Sequence, residues 1–182
     1  MKRIFWILGG AAAYFIWQTA AWMVFPFHER SIKTVPNEAF VMDALRPTIR
    51  ESGFYLFPSH FDGTKPLDEK EWGEKYLKGP TGVLVYGVGG KPAMSGRNFV
   101  VGILSAIFLS GFCLLVLNLS RDRVMGYVPR VLFVIAMGLA TWVTSHLAYW
   151  NWMNFPWETT SAYLIDAVGG FAVMGLVLAA AL

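Results

Sequence analysis

The sequence predicts an all-α membrane protein, a four-helix transmembrane bundle with a small α+β extracytoplasmic segment between helices 1 and 2. Three observations carry that reading. Of the 182 residues, 55% are apolar. Charged residues make up 15%, against about 25% in soluble domains. Four apolar runs each approach the roughly 20 residues needed to span a bilayer core, and the stretch between the first two runs is the only sizeable aqueous part, barely long enough to hold a small core. The predicted division is residues 1–25 for the first span, 26–98 for a periplasmic segment and 99–182 for the remaining three spans.

The first run extends from Ile4 to Phe25. Met1-Lys2-Arg3 ahead of it resembles the start of a signal peptide, but the run exceeds the usual h-region of about 7–15 residues. An uncleaved anchor helix is expected, with cleavage after Ala20 or Ala21 as the alternative. The second run, Phe99 to Leu119, carries Gly102, Ala106 and Ser110 at four-residue spacing. That spacing lines small side chains on one face, where another helix can approach closely. The third run, Val128 to Trp150, has Pro129 in its first turn, where a missing N–H costs nothing. The fourth, Thr160 to Leu182, follows Pro156, and Thr159 or Thr160 is the expected cap. Each run must be helical, because lipid offers no partner for free backbone groups.

Within 26–98, ten Lys/Arg stand against nine Asp/Glu. A short helix is expected from Asn37 to Leu45, with Asn37 as cap and Pro47 limiting its length. Gly53 to Pro58 and Gly82 to Val88 read as strands that could pair antiparallel, with a second helix from Asp68 to Leu77 between them. Gly89-Gly90-Lys91 lacks the spaced glycines of a phosphate loop and reads as a turn.

Charge sets an expected orientation. Lys2, Arg3, Arg121, Arg123 and Arg130 lie near one set of span ends, whereas the Asn151–Thr159 link has no Lys or Arg. The positive-inside rule therefore predicts cytoplasmic N and C termini. No Lys/Arg cluster suited to nucleic acid is present. One cysteine, Cys113, excludes an intrachain disulfide and reads as a small apolar core residue.

Polar side chains inside spans are costly and mark candidate sites. Gln18, His146 and Asp166 all fall about 6–11 Å below the predicted outer boundary at 1.5 Å per residue. They form a predicted structural polar layer, with Asp166 hydrogen-bonded to His146 or Gln18. Gly169 and Gly170 follow Asp166 by one turn and would let a neighbouring helix come close. His28, Glu29 and His60 fall on the same side. The sharp expectation is a metal or proton site from His146, Asp166 and His28, with Glu29 or His60 as further candidates, since imidazole and carboxylate suit Zn, Cu or Fe. The plain alternative is an interhelical hydrogen bond that fixes packing. No ligand spacing such as His-x-x-x-His supports the metal, and a bis-histidine haem lacks its second histidine within a span. Trp142, His146 and Trp150 at i, i+4, i+8 invite a quinone or pigment site. Trp22, Trp150, Trp152 and Trp157 fit an interfacial aromatic belt. No catalytic residue is expected, and the cofactor is unknown.

Several motifs also carry a resemblance. They are the run Tyr149-Trp150-Asn151-Trp152-Met153-Asn154-Phe155, then Asp166-Ala167-Val168-Gly169-Gly170-Phe171, Trp22 to His28, and Gly53 to Pro58. Together they resemble a family of small uncharacterised bacterial inner-membrane proteins with four transmembrane helices. The resemblance implies a topology and a bacterial origin, and no catalytic residues. The leading expectation is a non-catalytic accessory or assembly subunit, with the bilayer and other membrane subunits as partners. The alternative is a membrane redox or metal-handling protein.

Overall fold

The computed structural model describes residues 2–182. Among the described residues, eight α-helices and four short strands follow one another. α1 is Lys2–Met23, α2 Pro26–Ser31, α3 Glu38–Thr48, β1 Gly53–Phe57, β2 Phe61–Asp62, β3 Lys65–Pro66, α4 Glu69–Lys78 and β4 Gly82–Tyr86. Then come α5 Gly96–Leu119, α6 Tyr127–Trp142, a π-helical turn Val143–Leu147, α7 Ala148–Met153, α8 Trp157–Leu178 and a terminal 3-10 turn Ala179–Ala181. Four helical stretches are long and apolar enough to cross a membrane: Lys2–Met23, Gly96–Leu119, Tyr127–Met153 and Trp157–Ala181.

The chain divides into two compact units. One comprises Met1–Ile32, Ala93–Ala148 and Pro156–Leu182; the other comprises Lys33–Pro92 and Tyr149–Phe155. α2, which carries His28, belongs with the long helices because it packs on α8 and α1.

In the helical unit, α8 packs against α1 on one side and α6 on another, and α1 also packs against α5. Lipid removes most of the hydrophobic drive for helix association, so close packing and hydrogen bonds must hold such helices together. Glycines provide the closeness. A Cβ on Gly10 would lie 2.6 Å from Ser110 Oγ and 2.9 Å from Leu178 Cδ2. A Cβ on Gly138 would lie 2.5 Å from the ring of Phe171. The small-residue stripe of α5 faces α1. Ser110 Oγ donates to the Ile7 carbonyl at 2.8 Å, and a Cβ on Gly102 would meet Phe15 at 3.3 Å. That face is thus filled by the chain's own first helix. The core behind it gathers Cys113, Leu114, Leu117, Val134, Phe171, Met174 and Leu178. The start of α6 is tied to the end of α8, since Tyr127 Oη donates to the Leu176 carbonyl at 2.7 Å. Gly126 precedes α6 at φ +88, a conformation that favours glycine.

The expected cap of the fourth span is corrected. α8 starts at Trp157, with Pro156 at the cap position and no side-chain cap. Thr160 lies inside the first turn and donates back to the Pro156 carbonyl at 3.0 Å. Thr159 donates to the Ser31 carbonyl at 3.3 Å, joining α8 to the end of α2. Proline fixes the backbone there, so the threonines bond carbonyls instead of the first N–H groups.

The second unit holds β1 paired antiparallel with β4, Gly53 opposite Tyr86 and Phe57 opposite Gly82. A small hairpin, β2 with β3, follows β1. Asp68 caps α4 through its carboxylate, which accepts from Glu71 N at 2.8 Å. Asn37 occupies the cap position of α3 but makes no side-chain cap bond, because its backbone is left-handed at φ 51. Pro47 sits in the last turn of α3, and the helix stops at Thr48. Asn154, also left-handed at φ 56, ends α7, and its amide donates to Tyr76 Oη at 2.6 Å.

Candidate functional site: a buried carboxylate among aromatic rings

Asp166 lies in the middle of α8 and is 5% exposed. An ionisable group so placed needs partners, because burying it unpaired is costly. Its own chain provides them from two elements. Trp17 Nε1 donates to Oδ1 at 3.0 Å and to the Asp166 carbonyl at 3.1 Å. Gln18 Nε2 donates to the same Oδ1 at 3.1 Å. On the other side His28 Nε2 lies 3.3 Å from Oδ2. His28 is itself only 2% exposed.

Gly169 and Gly170 make this geometry possible. A Cβ on Gly169 would overlap the indole of Trp17, and one on Gly170 would lie 2.8 Å from the ring of Tyr14. Without side chains there, α1 can lay Trp17 flat along α8, and the indole N–H reaches the carboxylate one turn back. The break after Met23 matters equally. Pro26 starts α2 with a preset φ and no N–H to satisfy. The chain thereby folds His28 back over Asp166.

A stack of rings covers this pair. Trp22 stacks on His28 with centroids 4.0 Å apart and planes 7° from parallel. Tyr163, one turn before Asp166, meets His28 edge-on at 5.2 Å. His146 stacks on Tyr163 at 4.0 Å and 5°. The candidates Gln18, His28 and Asp166 are thus brought into direct contact, and His146 joins through Tyr163. Glu29 is exposed at the start of α2. His60 belongs to the other unit, where it packs against Trp72 at 5.0 Å. Among the described residues, no group of three or more His, Cys, Asp or Glu is placed to hold a metal ion.

His146 sits within the π-helical turn Val143–Leu147. Side-chain hydroxyls surround that turn. Thr144 donates to the Ala140 carbonyl at 2.9 Å, and Ser145 donates to the Thr141 carbonyl at 2.6 Å. Hydroxyls that bond back onto the helix compete with its ladder and loosen it locally. A π turn holds more residues than an α turn, so i, i+4, i+8 spacing no longer means a shared face. Trp142, His146 and Trp150 illustrate the consequence. Trp142 is 7% exposed and donates to the Thr160 carbonyl at 2.9 Å. That bond gives the buried indole N–H its partner. Trp150, beyond the π turn, is 43% exposed. Trp22, Trp152 and Trp157 are exposed to a comparable or greater degree.

Two members of the site escape sequence reasoning. Trp17 reads as one more apolar residue, and Tyr163 as one more aromatic. A signal existed for Trp17: paired glycines on α8 imply a bulky partner on the facing helix. Comparison with protein-family models, with curated proteins and with solved structures finds no match.

Proposed function

We propose that the chain is a multi-pass protein of the bacterial inner membrane, serving as a non-catalytic accessory or assembly subunit of a larger membrane complex. The observation that carries this reading is the bonded state of Asp166. Both carboxylate oxygens are engaged by Trp17, Gln18 and His28 of the same chain. A carboxylate that is to take a proton from a substrate needs an open lone pair aimed at it. Here the carboxylate instead ties α1, α2 and α8 together. Under this reading the useful product of the fold is a rigid set of surfaces. The exposed apolar residues Leu104, Phe108 and Leu115 on α5 face lipid or a neighbouring subunit.

Orientation follows from charge. Lys2, Arg3, Arg121 and Arg130 gather at one end of the bundle, which argues for a cytoplasmic location of that end and of both termini. The Lys33–Pro92 unit then lies outside. Mild-detergent purification followed by mass spectrometry of co-purifying chains tests the reading. A membrane partner at constant stoichiometry is expected, and a clean monomer would sink it.

One observation favours a second reading, membrane redox or metal handling. His28 and Asp166 lie 3.3 Å apart with His146 one ring away. Metal analysis of the purified protein decides between them: stoichiometric metal that is lost in His28→Ala would replace the subunit reading.

A further inference from the structure

Lys2 and Arg3 of α1, Arg121 after α5 and Arg130 of α6 converge on one cavity of about 680 Å³ at an end of the helical unit. We propose that this cavity binds the phosphate headgroup of an anionic phospholipid. The proposal rests on the membrane-spanning reading and is independent of whether the chain is a subunit.

Charge is the first argument. Four cationic side chains line the cavity against a single acidic one, Asp122, whose Oδ1 lies 3.5 Å from Arg121 Nε. The first turn of α1 contains no acidic residue to offset its positive dipole end. Arg130 is the second argument. Its Nη1 donates to the Ala179 carbonyl at 3.4 Å, which anchors the side chain. Its Nε is buried without a hydrogen-bond partner among the described residues. An anchored guanidinium with a local excess of positive charge suits a phosphate, whose oxygens match its planar fork.

The walls supply the third argument. Trp6, Ile7, Leu114 and Leu115 line the same cavity, and all four belong to apolar spans. A soluble phosphate has no use for such a wall. A phospholipid has an anionic head and an apolar body joined at the hydrocarbon boundary, which is where basic residues meet apolar ones here. Basic pockets between spanning helices hold acidic lipid heads in this way.

The test uses the full chain, delipidated in mild detergent and offered equal amounts of phosphatidylglycerol and phosphatidylcholine. Native mass spectrometry reads which lipid stays bound. Retention of phosphatidylglycerol over phosphatidylcholine by about tenfold or more is expected from several lysine and arginine contacts. Because Arg130 also holds Ala179, the deciding variant is Lys2→Gln with Arg3→Gln at the exposed start of α1. It should lower that preference about tenfold, whereas Arg97→Gln, which does not line the cavity, should leave it unchanged. Equal retention of the two lipids overturns the proposal. So does an unchanged preference in the double variant, or an equal loss in Arg97→Gln. Displacement of the lipid by an equal concentration of inorganic phosphate would assign the cavity to a free phosphoanion and also overturn it. None of these outcomes bears on co-purifying subunits.

Discussion

Around Asp166, an acidic group in the apolar bundle meets an indole N–H, an amide and an imidazole from its own chain. Around Arg130, four cationic side chains share a cavity with one acidic side chain, and among the described residues one guanidinium nitrogen has no hydrogen-bond partner. Both clusters sit where apolar helices carry charge, and both use residues from several elements. They differ in whether the fold itself completes them. A cluster closed by its own chain holds helices together. A cluster left with excess charge holds something else. The same cost of placing polar groups in an apolar setting thus produces a structural knot in one place and a binding site in the other.

Substitutions can break or sharpen this contrast. The largest expected effect is Asp166→Ala, which removes the carboxylate partner of Trp17, Gln18 and the buried His28 at once. A loss of about 3 kcal/mol is expected, in the range for breaking a buried charged pair, read as lowered thermal stability in detergent. Asp166→Asn keeps one acceptor oxygen and should lose about 1 kcal/mol. If both variants keep wild-type stability, the knot is not structural. Next is Gly169→Ala. Its methyl group must displace the Trp17 indole, so about 2 kcal/mol is expected from overpacking. Quenching of the indole signal by a lipid-borne quencher should rise as Trp17 is pushed out, and unaltered fluorescence would contradict the close packing. Trp142→Phe keeps a ring but removes the donor to Thr160; about 1 kcal/mol should go. The smallest effect belongs to the basic end. Lys2→Gln with Arg3→Gln should change stability in lipid-free detergent by no more than about 0.5 kcal/mol. A large destabilisation there would mean that the basic cluster, too, serves packing.

Much of the bundle was legible in advance. The four long apolar helices lie within a few residues of the predicted spans, because a run of about 20 apolar residues long enough for a bilayer is also one that a helix can satisfy with its own backbone. Asp166 and Gln18 were expected to share a layer, and they are bonded. Depth along a helix follows from counting at a fixed rise. Direction around the helix does not follow as safely, and His146 shows why. A π turn, where Thr144 and Ser145 bond back to helix carbonyls, changes the rotation of everything beyond it. The histidine against Oδ2 is His28, from beyond the predicted end of the first span. The turn at Val24-Phe25 and the preset φ of Pro26 bring it back. The α5 stripe was legible as a docking face, but its occupant, α1, was not.

Sequence alone determined the number and length of the long apolar helices, the positions of the polar residues along them and the bias of basic charge toward one set of ends. Each depends on composition along the chain and can be read locally. Tertiary structure decided that Trp17 and His28 close on Asp166, that the α5 glycine and serine serve the chain's own first helix, and that Lys2, Arg3, Arg121 and Arg130 meet around one cavity. Those pairings arise between residues about one hundred or more positions apart, or across a turn that redirects the chain. Which face meets which neighbour is set by close packing at glycines, a three-dimensional fit with no one-dimensional period.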